Sequence, residues 1–193
     1  MIKVAKLYFK YGAMGSSKTA GALITKFNYE ERNMRVFLIK PATDTRDGVT
    51  TITSRIGLSA ECTPIYEHQN IYKMFKESVR ADVIIADECQ FFTAAHIDQL
   101  RLIVDELNVP VLCFGLRTDF KTRLFSGSKR LFELADSISE IKTICSCGRK
   151  ATVNARIVDG RIASEGDKIV LGGDESYLAM CHRCYKKRLS EEG

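Results

Sequence analysis

The sequence predicts an α/β fold: a parallel sheet with helices on both faces, followed by a small C-terminal unit that carries cysteine pairs. Three observations carry this. Short β-branched apolar runs alternate with stretches of helical spacing. A glycine-containing turn, Gly12-Ala13-Met14-Gly15-Ser16-Ser17-Lys18-Thr19, lies between the first such run and the first helix. Two close cysteine pairs fall beyond residue 143 and nowhere earlier. At 193 residues the chain suits one medium domain with a small appendage.

Residues 5–11 read as a short mixed strand leading into the glycine turn. Residues 19–33 have helical spacing, with Ala22, Leu23 and Phe27 as core candidates. The β-branched and aromatic run 35–39 is a second strand. Residues 41–57 are polar, rich in threonine and hold two glycines, so they read as a mobile loop. A short helix follows at 71–79 and a strand at 83–86. Residues 93–107 form an amphipathic helix with Ile97, Leu100, Ile103, Val104 and Leu107 on one face. A buried-type strand at 109–116 and a helix at 128–135 complete the first unit. The character changes near Thr143, which sets the domains at 1–142 and 143–193, the second ending in a basic tail.

The formal net charge of +5 suits anionic small molecules and is too diffuse to argue for nucleic acid. No apolar run approaches the roughly 20 residues that span a bilayer. The start, Met1-Ile2-Lys3-Val4-Ala5, lacks the features of a signal peptide. A cytoplasmic protein is expected, with its seven cysteines reduced or metal-bound.

The glycine turn has the strand–turn–helix context of a phosphate-binding P-loop. Its backbone N–H groups and the helix N-terminus would cradle phosphates. Lys18 would reach the β- and γ-phosphates, and the Thr19 hydroxyl would bind Mg²⁺. Ser17 stands where the usual pattern has glycine, which a helical φ would tolerate. Downstream, Val83-Ile84-Ile85-Ala86 ends abruptly in Asp87-Glu88. Two carboxylates at the tip of a core strand cost several kcal/mol unless cations or hydrogen bonds compensate them. If strand geometry persists they point to opposite sides. Asp87 is then assigned to Mg²⁺, mostly through water, and Glu88 to the general base.

Cys145-Ser146-Cys147 and Cys181-His182-Arg183-Cys184 can share a tetrahedral, structural Zn²⁺. Cys62, Cys89 and Cys113 have no such neighbours and read as packing residues. Leu116, Phe120, Leu124 and Phe125 follow a strand end, where they suit an apolar pocket or ordinary core equally. Gly172-Gly173 before Tyr177 suits a ligand loop or a hairpin turn. Asp44-Thr45-Arg46 brings a guanidinium onto phosphate or is a solvated charge pair.

Together these residues resemble the type II thymidine kinase family, with its P-loop (RecA-like) core and zinc-bearing lasso. The pieces that carry the resemblance are Gly12-Ala13-Met14, Asp87-Glu88-Cys89-Gln90-Phe91-Phe92, Gly115-Leu116-Arg117-Thr118-Asp119-Phe120, and Leu171-Gly172-Gly173 through Tyr177 to Cys181-His182-Arg183-Cys184-Tyr185, in that order. The resemblance implies transfer of the γ-phosphoryl group of ATP to the 5′-hydroxyl of thymidine. It implies Glu88 as catalytic base and a nucleotide side made of Gly12, Ala13, Met14, Gly15, Ser16, Ser17, Lys18, Thr19, Arg46, Asp87, Glu88, Cys89 and Gln90. It implies a thymine pocket of Met14, Leu116, Phe120, Phe125 and Tyr177, with Phe91 beside it. The backbone of Val170, Leu171, Gly172 and Gly173 would hydrogen-bond the base. Asn154 stands where many relatives have threonine near the 5-methyl group, which leaves thymidine versus deoxyuridine open. A homotetramer inhibited by thymidine triphosphate is implied as well.

Two other classes compete. A nucleic-acid-stimulated ATPase would need a concentrated basic stripe and further ATPase motifs, and neither is present. An inactive nucleotide-binding module is disfavoured by intact Lys18, Thr19, Asp87 and Glu88.

Overall fold

The computed structural model describes residues 4–163, 165 and 177–192. β1 (Leu7–Tyr11) buries Leu7 and Phe9 completely and runs into the glycine turn. α1 (Lys18–Glu30) then packs Ala22 and Leu23 on Leu38, Ile85, Leu112 and Phe114 of the sheet. Phe27 is not core: it is 59% exposed. Ala22 and Tyr29 centre the buried face, and Phe27 lies about 140° round the helix from Ala22, beyond reach of the sheet.

β2 (Val36–Pro41) is followed by structure where a loop was expected. β3 (Thr51–Thr53) and β4 (Ser59–Glu61) form an antiparallel hairpin, and Ile52 packs into the α1 cluster at 3% exposure. The threonines of this segment are strand residues with one apolar anchor, so the polar composition misled. β5 (Thr63–Ile65) is an edge strand. α2 (Ile71–Ser78) starts at Asn70, whose side chain accepts from Lys73 N–H. β6 (Val83–Ala86) is wholly buried and ends in a 3-10 turn at Cys89–Phe91. α3 (Ala94–Leu107), capped by Thr93, buries Ile97, Leu100, Ile103 and Val104, with Leu107 half-buried at the end of that face. β7 (Val111–Gly115), α4 (Ser126–Leu134) and β8 (Ser137–Glu140) close the first unit.

The central sheet has six strands in the order β5-β2-β6-β7-β1-β8, every neighbouring pair parallel. All C-terminal tips therefore share one edge, where open α/β sheets bind ligands. β7 separates β1 from β6, so the glycine turn and the carboxylates stand about 10 Å apart in the sheet direction.

β9 (Val153–Val158), β10 (Arg161–Ile162) and β11 (Tyr177–Met180) make a second, antiparallel sheet with β9 in the middle. α5 (His182–Glu192) follows. Cys145, Ala151, Val153, Ala155, Ile162, Met180, Cys181 and Tyr185 form its own buried cluster.

Candidate active site

The phosphate turn is drawn tight by its own sequence. A Cβ at Gly12 would lie 2.3 Å from Ser16 Oγ and 2.4 Å from the Ile141 carbonyl, so only glycine fits. Gly12 N–H bonds the carbonyl of Gly115 at 3.3 Å, which fastens the turn to the end of β7. Gly15 adopts φ 71°. Ser17 does not have the helical φ that would excuse a serine: at φ 58°, ψ 30° it is left-handed, and its side chain caps nothing. Lys18, almost fully buried, folds back to donate to the Ala13 carbonyl at 2.8 Å and Ser16 Oγ at 3.4 Å. Burial pulls its pKa down, opposed by Glu88 and Asp87.

Strand geometry does not persist through the carboxylates. β6 ends at Ala86, and Glu88 turns left-handed at φ 49°, ψ 35°. That conformation is rare for a non-glycine residue. The two side chains consequently share one cleft instead of pointing to opposite faces. Asp87 is buried and accepts a hydrogen bond from the Thr19 hydroxyl. Burial first, and the Glu88 charge second, push its pKa up to about 7. A carboxyl so reluctant to ionise alone, bonded to the P-loop hydroxyl, fits a divalent cation held by Thr19 and Asp87.

Glu88 is clamped on both oxygens. Arg46 Nη2 meets Oε1 at 2.6 Å and Gln90 Nε2 donates to Oε2 at 2.5 Å. Gln90 is itself fixed, because its Oε1 accepts from Leu116 N–H at 2.9 Å. Gly115 makes room for this: a Cβ there would lie 2.6 Å from both Cys89 Sγ and Gln90 Oε1. Gly127 at the start of α4 likewise leaves space for the Cys89 carbonyl, 2.4 Å from its ideal Cβ. Arg46 also reaches Asp44 through Nε at 2.7 Å, and buried Lys40 stands 3.7 Å from the other Asp44 oxygen. Burial works against the charges of Arg46 and Asp44, but the pairing outweighs it, raising the pKa of Arg46 and lowering that of Asp44.

The cleft is about 650 Å³ and is lined by Met14, Gly15, Ser17, Lys18, Thr19, Arg46, Asp87, Glu88 and Leu116. Cys89 and Gln90 lie behind it: Gln90 supports Glu88, and Cys89 packs on Cys113 with burial raising its thiol pKa well above the usual range. Phe91 and Phe125 meet edge to face at 5.6 Å. Phe120 is buried toward the second unit, under the Arg156 guanidinium at 5.4 Å, with Tyr185 OH on its carbonyl at 3.3 Å. Asn154 bridges two backbone groups, accepting from Met14 N–H at 2.7 Å and donating to the Thr118 carbonyl at 3.1 Å. Tyr177 opens β11, half-buried and paired with Arg156. Val170, Leu171, Gly172 and Gly173 lie outside the described residues.

Sequence reasoning missed the hairpin side of the cleft, which contributes Ile52, Thr53, Ser54, Arg55 and Ile56. Arg55 Nη1 would stand 3.4 Å from a Cβ on Gly15, which brings a guanidinium to the phosphate turn. The alternation Thr51-Ile52-Thr53 was the available signal.

The four cysteine sulfurs of residues 145, 147, 181 and 184 lie within 4.8 Å of one another. Cys147 and Cys181 are 3.6 Å apart, near the roughly 3.8 Å expected for thiolates sharing a tetrahedral ion. Backbone N–H groups of Cys147 and Cys181 donate to Cys145 and pull its pKa down to about 6. Cys184, hydrogen-bonded chiefly to Cys147, is pushed up to about 12. A set this crowded fits a thiophilic cation.

The family model described as thymidine kinase matches residues 5–185. A thymidine kinase of Enterococcus faecalis is 44% identical over 193 residues, covering 98% of this chain and all of that one. One of Aliivibrio fischeri is 43% identical, covering 97% of this chain and all of that one. One of Lactiplantibacillus plantarum is 44% identical, covering 94% of this chain and 96% of that one.

Proposed function

The chain belongs to the thymidine kinase family, and from that premise we propose the residue roles by which it phosphorylates thymidine in nucleoside salvage. The observation that carries the reading is Glu88, turned by its left-handed backbone into the cleft that also holds Lys18, Thr19 and Asp87.

ATP lies with its triphosphate along the turn 12–19, on backbone N–H groups and the N-terminus of α1. Lys18 leaves the Ala13 carbonyl for the β- and γ-phosphates, and Arg46 offers a second cation. Thr19 and Asp87 would hold Mg²⁺, which would supply neutralisation of the phosphate charge. Glu88 takes the proton of the nucleoside 5′-hydroxyl as that oxygen attacks the γ-phosphorus, and the bond from that phosphorus to the β–γ bridging oxygen breaks, so that ADP leaves. Positioning and charge neutralisation carry most of such a transfer, and the base is worth about 10²–10⁴-fold. Met14, Leu116, Phe91, Phe120, Phe125, Asn154 and Tyr177, with residues 170–173, enclose the base. Deoxyuridine is a second acceptor of the same class.

The chain divides functionally at about residue 142, and residues 143–193 carry a structural Zn²⁺ on Cys145, Cys147, Cys181 and Cys184. The protein works in the cytoplasm as a homotetramer inhibited by thymidine triphosphate. The test is ADP release from ATP with thymidine, with single-stranded DNA, and with neither. Thymidine-dependent release supports the reading, and DNA-dependent release would replace it with an ATPase.

A further inference from the structure

We propose that Asn154 is a positioning residue that couples nucleoside binding to ATP binding through the phosphate turn. The proposal rests on the thymidine kinase reading of the cleft. Asn154 is the second residue of β9, paired with Ala179 of β11, and is 3% exposed. Its Oδ1 accepts from Met14 N–H and its Nδ2 donates to the Thr118 carbonyl. One side chain therefore fastens three distant segments: the phosphate turn, the loop after β7, and the second sheet.

Two consequences follow. The Met14 N–H is engaged by Asn154 and so holds the turn instead of a phosphate. The loop after β7 is tied at both ends of a short stretch: Thr118 to the phosphate turn through Asn154, and Leu116 to Glu88 through Gln90. A nucleoside that orders this loop thereby also fixes the Met14 amide. The amide meets both contacts at once, offering one acceptor and one donor on a planar group. Aspartate would keep the Met14 contact but face the Thr118 carbonyl with a second acceptor. Alanine would lose both contacts. A second tether to the phosphate turn, Thr143 Oγ1 to the Gly15 carbonyl at 3.3 Å, is exposed and weaker.

The test is titration calorimetry of thymidine into wild type, Asn154→Ala and Asn154→Asp, each without and with a saturating non-hydrolysable ATP analogue and Mg²⁺. Wild type is expected to bind thymidine at least about fivefold more tightly with the analogue present, the lower end of ordinary coupling. In both variants that ratio is expected to fall to about 1, whatever the change in thymidine affinity alone. A wild-type ratio of about 1, or a variant that keeps the wild-type ratio, overturns the proposal. So does a loss of analogue affinity, titrated alone into each variant, as large as the loss of thymidine affinity, which marks a general structural role. The isosteric Asn154→Asp decides if Asn154→Ala does not fold. Wild type that binds no thymidine overturns the kinase reading too, whereas thymidine binding with unchanged coupling in the variants overturns only the role of Asn154.

Discussion

Arg46 donates to Glu88 Oε1 at 2.6 Å and to Asp44 Oδ1 at 2.7 Å, so one guanidinium bridges the expected base and a buried aspartate. With Gln90 on Oε2, Glu88 has a partner on each oxygen. A nucleoside hydroxyl must use a remaining lone pair or displace Arg46, and the incoming triphosphate is the natural group to draw it away. Arg46→Ala is expected to lower kcat by about 10²-fold, the usual loss for one aimed cation or donor, with thymidine Kd changed less than threefold, as calorimetry reads it. Arg46→Lys should rescue poorly, since an ammonium cannot span both carboxylates. Full activity in Arg46→Ala would remove the residue from the chemistry.

Glu88→Gln tests the base itself. The substitution keeps size and one carbonyl oxygen but cannot take a proton. It is expected to bind thymidine normally and to lose about 10²–10⁴-fold in kcat under steady-state assay. Near-normal turnover would show that another group accepts the proton.

The Lys40–Asp44 pair sets a prediction in stability and pH. Lys40 is fully buried and donates to the carbonyls of Gly48 and Thr51 at 2.7 and 2.8 Å, with Asp44 as its charge partner. Asp44→Asn leaves a buried ammonium uncompensated and is expected to cost about 3–5 kcal/mol in urea unfolding at neutral pH. The folded pKa of Asp44 is lowered, against its burial, first by Arg46 and then by Lys40. Its stabilisation is therefore present above the unfolded value of about 3.9 and lost as pH falls through the folded one. The gap between wild type and Asp44→Asn should narrow below about pH 4. A gap that widens with acid would contradict the assignment.

The cysteine cluster predicts about one zinc per chain by elemental analysis. Cys181→Ser is expected to abolish stoichiometric zinc and lower the melting temperature, because metal affinity in such sites is folding free energy. A metal-free preparation that melts with wild type would refute a structural metal. The effect should reach the active site, since Asn154 and Thr143 hold the phosphate turn from this unit.

The layered core was legible because its signals are local. Four buried residues in succession at Val83–Ala86 mark a strand covered on both faces, and Ile97, Leu100, Ile103 and Val104 mark a helix face. The glycine turn, the carboxylates and the cysteine pairs were legible because their chemistry restricts residue type. What escaped depends on long-range contact. Ile52 anchors a hairpin only because α1 offers Ala22 and Leu23 beneath it. The clamp on Glu88 joins Arg46, Gln90 and Leu116 from three loops, and the left-handed turn at Glu88 carries no glycine to announce it.

Ser17 supplies a last prediction, because its geometry conflicts with its residue type. It holds φ 58° at the start of α1 without capping any N–H. An L-residue there costs about 1–2 kcal/mol relative to a right-handed conformation. Glycine would relieve most of that, offset by about 0.5–1 kcal/mol of extra freedom in the unfolded chain. Ser17→Gly is therefore expected to stabilise the protein by up to about 1 kcal/mol, or about 2–4 °C in Tm for a chain of this size. The ATP KM should stay within about twofold, since the backbone path of the turn is unchanged. A drop in Tm would contradict the strain at Ser17, and a large rise in ATP KM would mean that this cleft-lining residue makes a contact with the nucleotide that glycine cannot supply.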